Sequence, residues 1–230
     1  MPQEAGGRTQ ASPLPSGTGE AGMTEPQPAT VSWAQPGNAT AVADHIARVV
    51  NAPGRKRIAF TGGSTPIKVL SLLKDRPLDW SSVTIALTDD RCVPDDHPAS
   101  NFGKIHAALG ASGARFERLE EGAQVEPFDL VWLGMGEDGH VASLFPHMQA
   151  VVRPGPTVIA TTPIPLPPEA PFDRLTLNRK ALKASREIIL VVTGASKKAL
   201  LERVIAGDDG YPVADFLRGY GPPVTIYWSE

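Results

Sequence analysis

The chain has 230 residues, 41% of them hydrophobic, and a formal net charge of −3 from 22 basic and 25 acidic side chains. That length and apolar content support one domain of roughly 200 residues with a full core. The near-balanced charge, with no basic run, leaves no electrostatic footprint for nucleic acid. The lone cysteine, Cys92, rules out an internal disulfide framework, and no apolar stretch reaches the roughly 18 residues of a membrane span.

Residues 1 to 28 are rich in Pro, Gly, Ser and Thr and poor in large apolar side chains. Such a segment cannot offset its own ordering entropy, so a disordered tail is expected there, with Met23 as an alternative start and a single domain from 29 to 230. A strand is predicted at Thr30 to Trp33, then a helix from Ala39 to Val50 with Val42, Ile46, Val49 and Val50 on one face. Arg57 to Thr61 reads as a strand, Pro66 to Lys74 as a helix, Ser82 to Thr88 as a strand and Phe102 to Leu109 as a short helix. The apolar run at 128 to 133 predicts a central strand. Val141 to Phe145 follows as a helical turn stopped by Pro146. Strands at Thr157 to Thr161, Glu187 to Thr193 and Pro223 to Trp228 complete the pattern, with a helix from Ser196 to Ile205 before the last. Five prolines between Pro163 and Pro171 forbid a helix and favour an extended lid or edge connection. Strands alternating with helices point to an α/β fold: a doubly wound, mainly parallel, Rossmann-like sheet with helices on both faces. A cytoplasmic protein without a secretory leader is expected.

Three strand-to-loop junctions carry the residues able to do chemistry. In Thr61-Gly62-Gly63-Ser64-Thr65-Pro66, Ser64 or Thr65 can cap the helix with Pro66 at its first position, leaving amides and a positive dipole end for a phosphate. The plain alternative is a tight turn with a good N-cap; no Gly-Lys-Ser/Thr follows, so it is not a Walker loop. In Thr88-Asp89-Asp90-Arg91-Cys92-Val93-Pro94 the Arg91 fork can hold an oxyanion while carboxylates orient it or accept sugar hydroxyls. A solvated loop with a surface ion pair is the competing reading, and Asn101 can cap the next helix. Cys92 is taken as structural or incidental.

The third junction runs Gly134-Met135-Gly136-Glu137-Asp138-Gly139-His140. Its glycines formally meet the dinucleotide fingerprint, but no full helix and no acidic residue about twenty positions on support nicotinamide binding. His140 is the stronger signal. A neutral imidazole in a glycine loop at a strand's carboxyl end is a competent general base. A buried structural histidine is the alternative. His45, His97, His106 and His147 have no metal-site spacing. Arg174 and Lys197, the latter at another strand-to-helix junction, are two further cations suited to an anion.

Taken in order, these segments, with Ser100-Asn101-Phe102-Gly103, Arg174-Leu175-Thr176-Leu177 and Gly194-Ala195-Ser196-Lys197, resemble the 6-phosphogluconolactonase family from about residue 30 to the end. The block ending Val141-Ala142-Ser143-Leu144-Phe145-Pro146 is its most specific part. The resemblance implies a sugar-phosphate isomerase type of fold. It implies hydrolysis of 6-phospho-D-glucono-1,5-lactone to 6-phosphogluconate, in the oxidative pentose phosphate pathway, with no cofactor and no obligatory metal. It makes His140 the general base. Gly62, Gly63, Ser64, Arg91, Arg174 and Lys197 become substrate and phosphate contacts, and Asp89, Asn101 and Asp138 organise the site. A small sugar phosphate is then the partner and a monomer the expected state.

Two departures stand out. Asp90-Cys92 replaces the family's usual Glu and Trp around Arg91, implying a shorter second carboxylate, weaker substrate orientation and a missing wall aromatic. The Gly113 to Phe128 connection is compressed. Glucosamine-6-phosphate deaminase shares the Gly-Asp-Gly-His block but uses a glutamate five residues beyond the histidine, where this chain has Phe145. A non-catalytic sugar-phosphate sensor would carry a DNA-reading helix-turn-helix, for which the first thirty residues lack apolar content.

Overall fold

The computed structural model describes residues 29–148, 155–168 and 170–230; the predicted tail lies outside them. Chain order is β1 (Val31–Trp33), α1 (Ala39–Asn51), β2 (Lys56–Phe60), α2 (Ser64–Lys74), β3 (Val83–Leu87), β4 (Asp89–Arg91), α3 (Asn101–Leu109) and β5 (Arg115–Phe116). Then come β6 (Phe128–Leu133), β7 (Val158–Thr161), β8 (Arg174–Leu177), α4 (Arg179–Lys183), β9 (Ser185–Thr193), α5 (Ala195–Ala206), α6 (Ala214–Leu217) and β10 (Val224–Ser229). Seven strands form one sheet in the order β1-β10-β9-β6-β2-β3-β5, every neighbouring pair parallel.

The two faces of the sheet follow from alternation along each strand. Ile58 and Phe60 of β2, Leu130 and Trp132 of β6 and Ile189 of β9 pack on one side with α1, α2 and α3. Ala59, Val131, Leu133, Ile188 and Leu190 pack on the other with α4, α5 and α6. A strand covered on both faces is apolar along its buried length, which is why β6 runs Leu130-Val131-Trp132-Leu133 without a polar residue, Asp129 standing only at its edge. Trp132 is fully buried, with its ring edge-on to Phe60 at 5.9 Å. Each such large side chain contributes about 1.5–3 kcal/mol of burial.

The doubly wound expectation therefore holds, with one addition. A second, three-stranded antiparallel sheet, β4-β8-β7, projects from the carboxyl end of β3 and pairs Arg91 with Arg174 in register. Its strands are three or four residues long; β7 is among the expected strands, whereas β4 and β8 are too short for a periodicity to show. From β2 the chain winds outward through β3 to β5, then returns to β6 and winds the opposite way through β9 and β10. The crevice at the carboxyl ends of β2 and β6 is where winding direction reverses, the place where open α/β sheets bind ligands.

Two local expectations are corrected. Val141 to Phe145 is no helical turn: Val141 bridges Met135 and Leu144 as isolated antiparallel pairs, and Ala142 has φ 49°. The helix after β2 begins at Ser64, so Pro66 is its third residue and the cap is Gly63, without a side-chain bond.

Candidate active site

A cleft opens at the crevice between β2 and β6. One lobe, about 310 Å³, is lined by Gly62, Gly63, Ser64, Asp89, Arg91, Asn101, His140 and Lys197 among others. An adjoining lobe, about 370 Å³, shares Asp89, Arg91 and His140 and adds Asp138, Arg174 and the proline-rich segment. All ten residues singled out from the sequence thus line these two adjoining lobes, brought there from the ends of β2, β3, β6 and β9 and from β8.

Two helices begin uncapped at the first lobe, α2 lining it with Gly63 and Ser64 and α5 with Lys197 of its first turn. The helices α1, α3 and α4 begin with Asn38, Ser100 and Asn178, each accepting a bond from a first-turn amide. By contrast α2 and α5 start at Gly63 and Gly194, with φ 105° and 97° and no capping side chain. Only glycine adopts that backbone without strain, and it leaves the first amides and the positive helix ends to a ligand. Lys197, in the first turn of α5, adds a full charge. Its ammonium lies 3.9 Å from the exposed Glu137 carboxylate, which also accepts from Ser196 Oγ at 2.9 Å. Such a loose surface pair leaves the ammonium available.

His140 is set by its own loop. Asp138 Oδ1 accepts from His140 Nδ1 at 2.6 Å and from its backbone N–H at 3.2 Å. An ionised carboxylate only accepts, so Nδ1 carries the proton and Nε2 is the basic nitrogen. Among the described residues Nε2 has no hydrogen-bond partner. Gly136 makes room: a Cβ there would lie 2.2 Å from His140 Cε1 and 2.3 Å from Nδ1. Gly139, at φ 73°, is bounded by Tyr211, and its carbonyl accepts from Val213 N–H.

The cationic wall is held by hydrogen bonds rather than ion pairs. Arg91 Nη1 donates to the Ala99 carbonyl at 2.7 Å and to Asn101 Oδ1 at 3.0 Å. Asn101 in turn donates to the Asp89 carbonyl, and Gly62 packs so closely on Asn101 that any Cβ would overlap it at 2.0 Å. The helix cap is Ser100, not Asn101. Asp89 is 8% exposed, and its Oδ2 accepts from the buried Ser143 Oγ at 2.6 Å. That buried position overturns the reading of a solvated loop. Ser143 itself was missed by sequence reasoning, although it sits three residues beyond His140 in the most specific block.

Arg174 is 4% exposed. Its Nη2 donates to the Ala170 carbonyl, while Nε and Nη1 are buried with no partner among the described residues. Burial lowers its pKa from the ordinary arginine value, and the Arg91 charge adds to the effect. Leaving such donors unmet costs about 1–3 kcal/mol each, which marks a place prepared for an anion.

The departure at Asp90 turns out to be architectural. Its Oδ1 accepts from the Arg91 and Asn101 amides and its Oδ2 from the Phe102 amide, so it anchors α3 rather than facing substrate. Burial raises its pKa against those bonds. Cys92 is exposed in a neighbouring depression with Pro94 and Arg118, outside both lobes, so the missing aromatic does not open the cleft. Neither Asp90 nor Cys92 lines either lobe of the cleft. No cluster of three or more His, Cys, Asp or Glu able to hold a metal occurs among the described residues, and no helix there is long and apolar enough to cross a membrane.

A family model described as glucosamine-6-phosphate isomerases/6-phosphogluconolactonase matches residues 35–118 and 111–222. Over 214 residues the chain is 36% identical to the 6-phosphogluconolactonase of Pseudomonas aeruginosa, spanning 84% of this chain and 89% of that protein. The chain belongs to the 6-phosphogluconolactonase family. Among solved structures of the family, one from Shewanella baltica is 30% identical with a TM-score of 0.72, covering 88% of this chain and 98% of that one. A putative 6-phosphogluconolactonase from Neisseria gonorrhoeae, 25% identical, has a TM-score of 0.76 and is covered completely, against 88% of this chain. The 6-phosphogluconolactonase fold therefore runs through nearly all of the described chain, with the glycine loop and histidine block at its crevice.

Proposed function

We propose that this protein hydrolyses 6-phospho-D-glucono-1,5-lactone to 6-phospho-D-gluconate, with His140 as general base. The observation that carries the reading is the imidazole whose Nδ1 is taken by Asp138 and which lines the same cavity as two uncapped helix ends and three cations. The amides of the Gly62-Gly63-Ser64 turn and Lys197 hold the 6-phosphate, with Arg91 between the phosphate and the sugar. Asn101 orients Arg91 and is itself held by the Asp89 carbonyl, and the Asp89 carboxylate meets the sugar hydroxyls. Fixing one end of the substrate converts the attack of water into a positioned, effectively unimolecular step.

His140 Nε2 takes a proton as the water oxygen bonds to C1, and the carbonyl pair moves onto oxygen to give a tetrahedral oxyanion. Collapse re-forms the carbonyl and breaks the C1–ring oxygen bond. The departing ring oxygen takes the proton back from Nε2, and the new carboxylic acid ionises to solvent. The Asp138 carboxylate fixes the tautomer and stabilises the transient imidazolium. A base placed in this way contributes roughly 10²- to 10⁴-fold, or about 3–5 kcal/mol.

Deamination of an amino sugar is disfavoured by the residue five positions beyond His140. Phe145 stands there with its ring 4.9 Å from the imidazole, offering no proton carrier for ring opening. The lining suits a small sugar phosphate as the partner, and we take the protein as a monomeric cytoplasmic enzyme. The test generates the lactone freshly from glucose 6-phosphate and follows acid release above the spontaneous rate, with glucosamine 6-phosphate as the parallel substrate. Acid release with no ammonia supports the lactonase; ammonia release without lactone turnover assigns the deaminase.

A further inference from the structure

We infer that Arg174 is the group that meets the oxygen charge developing at C1, and that the lobe it lines is a carboxylate pocket distinct from the phosphate site. This rests on the lactonase reading. A 6-phosphosugar acid carries two anionic ends, and the cavity has two separate provisions for negative charge. The first lobe has the uncapped start of α2 and, beside the uncapped start of α5, Thr193 and Lys197. The second has none of these; its one cation beyond the shared Arg91 is Arg174.

Three properties fit Arg174 to the C1 end. It shares its lobe with His140 and Asp138, so an anion there lies beside the base and not beside the phosphate amides. Its Nε, with one N–H, and its Nη1, with two, are buried without a partner among the described residues, so three of the five guanidinium donors are open to an acceptor. No carboxylate among the described residues lies within ion-pair distance of it: of the two acids that share its lobe, Asp89 is engaged by Ser143 and Thr88 and Asp138 by His140. The Ala170 carbonyl fixes the guanidinium through Nη2, and the β4–β8 ladder sets Arg91 opposite it. A fixed, desolvated cation aimed at a position where charge appears during reaction is the arrangement that lowers a barrier.

Its walls separate the two ends further. Pro163, Ile164 and Pro167 give the second lobe an apolar rim, which suits a sugar's carbon end and strengthens the attraction between a carboxylate and the arginine. The substrate lactone is neutral at C1, whereas the tetrahedral intermediate and the product are not. Arg174 therefore discriminates between ground state and transition state.

The experiment compares dissociation constants of 6-phosphogluconate, glucitol 6-phosphate and inorganic phosphate for the wild type, Arg174→Met and Arg174→Lys, with lactone turnover measured alongside. The wild type is expected to prefer 6-phosphogluconate over the carboxylate-free glucitol 6-phosphate by about 10-fold or more, the scale of one charge-assisted contact. In Arg174→Met that preference collapses to about 1 and kcat falls, while affinity for inorganic phosphate is unchanged. Arg174→Lys keeps part of the preference because charge survives without the planar fork. Equal loss of affinity for all three ligands would make Arg174 a phosphate contact and overturn the inference, as would no preference in the wild type or an unchanged preference in Arg174→Met. If Arg174→Met does not fold, Arg174→Lys decides: a preference reduced with phosphate binding intact supports the pocket, and an undiminished preference rejects it. Absence of lactone turnover in the wild type sinks the enzymatic reading itself, so the two failures are told apart.

Discussion

Asp138 and Gly136 serve His140 in different ways, one by a bond and the other by an absence. Because a Cβ at position 136 would fall 2.2 Å from the imidazole, Gly136→Ala must push the ring out of place. Such misplacement costs about 10²-fold in rate, so steady-state kinetics should show a large fall in kcat with an unchanged circular dichroism spectrum. Wild-type kcat in that variant would mean the ring position is not set by this glycine. At this scale the sequence was most readable, since residue types matched to chemistry mark themselves: His140, Arg91, Arg174 and Lys197 all stand in the cavity. What it concealed were the second partners. Ser143 and Asp89 meet across 54 residues of chain, which no spacing reveals, and the Ala99 and Ala170 carbonyls that aim the arginines are nearby backbone groups with no residue-type signal of their own.

Helix starts carry the function at the scale of the element. Gly63 has φ 105°, and a Cβ added there would meet nothing within 4 Å, so its glycine answers to backbone conformation alone. Gly63→Ala should cost about 1–3 kcal/mol through strain and raise the KM for the lactone as the amides turn away. Denaturant unfolding with parallel kinetics checks both, and an alanine variant of full stability and normal KM would reject the role given to this turn. A second element-level feature lies away from the cleft. Glu187 at the start of β9 binds His45 and Arg48 of α1. The His45 hydrogen bond, foremost, holds its carboxyl below the usual glutamate range. A folded-state pKa depressed below the unfolded one means stability is present above the unfolded value and lost as pH falls through the folded value. Thermal melts should therefore show Glu187→Gln destabilised at pH 7 by about 1 kcal/mol, about 2–4 °C in midpoint. The gap should close as pH falls below the ordinary glutamate range and the carboxyl protonates; a gap that stays constant into acid would contradict the linkage. Long elements such as β6 and β9 were legible because burial on both faces imprints a continuous apolar run. The short strands β4 and β8 escaped notice because they are defined by pairing partners more than eighty residues apart.

Across the whole molecule, one topological fact organises the rest: winding reverses between β2 and β6, and the two uncapped helices, the histidine loop and the arginine ladder all converge outside that reversal. Alternation of strands and helices sufficed to foresee a doubly wound sheet, since the connection rules leave few topologies for such a pattern. The antiparallel β4-β8-β7 sheet that carries Arg174 to the cavity could not be foreseen, because it depends on how the loops after β3 and β6 fold back on one another. The measurement that bears most directly on the whole scheme is turnover of freshly generated 6-phosphogluconolactone by the wild type and by His140→Ala, with 6-phosphogluconate affinity determined for both. Wild-type hydrolysis well above the spontaneous rate, a fall in kcat of roughly 10²- to 10⁴-fold in the variant and nearly equal product affinity are expected. Equal kcat in the two proteins would contradict it.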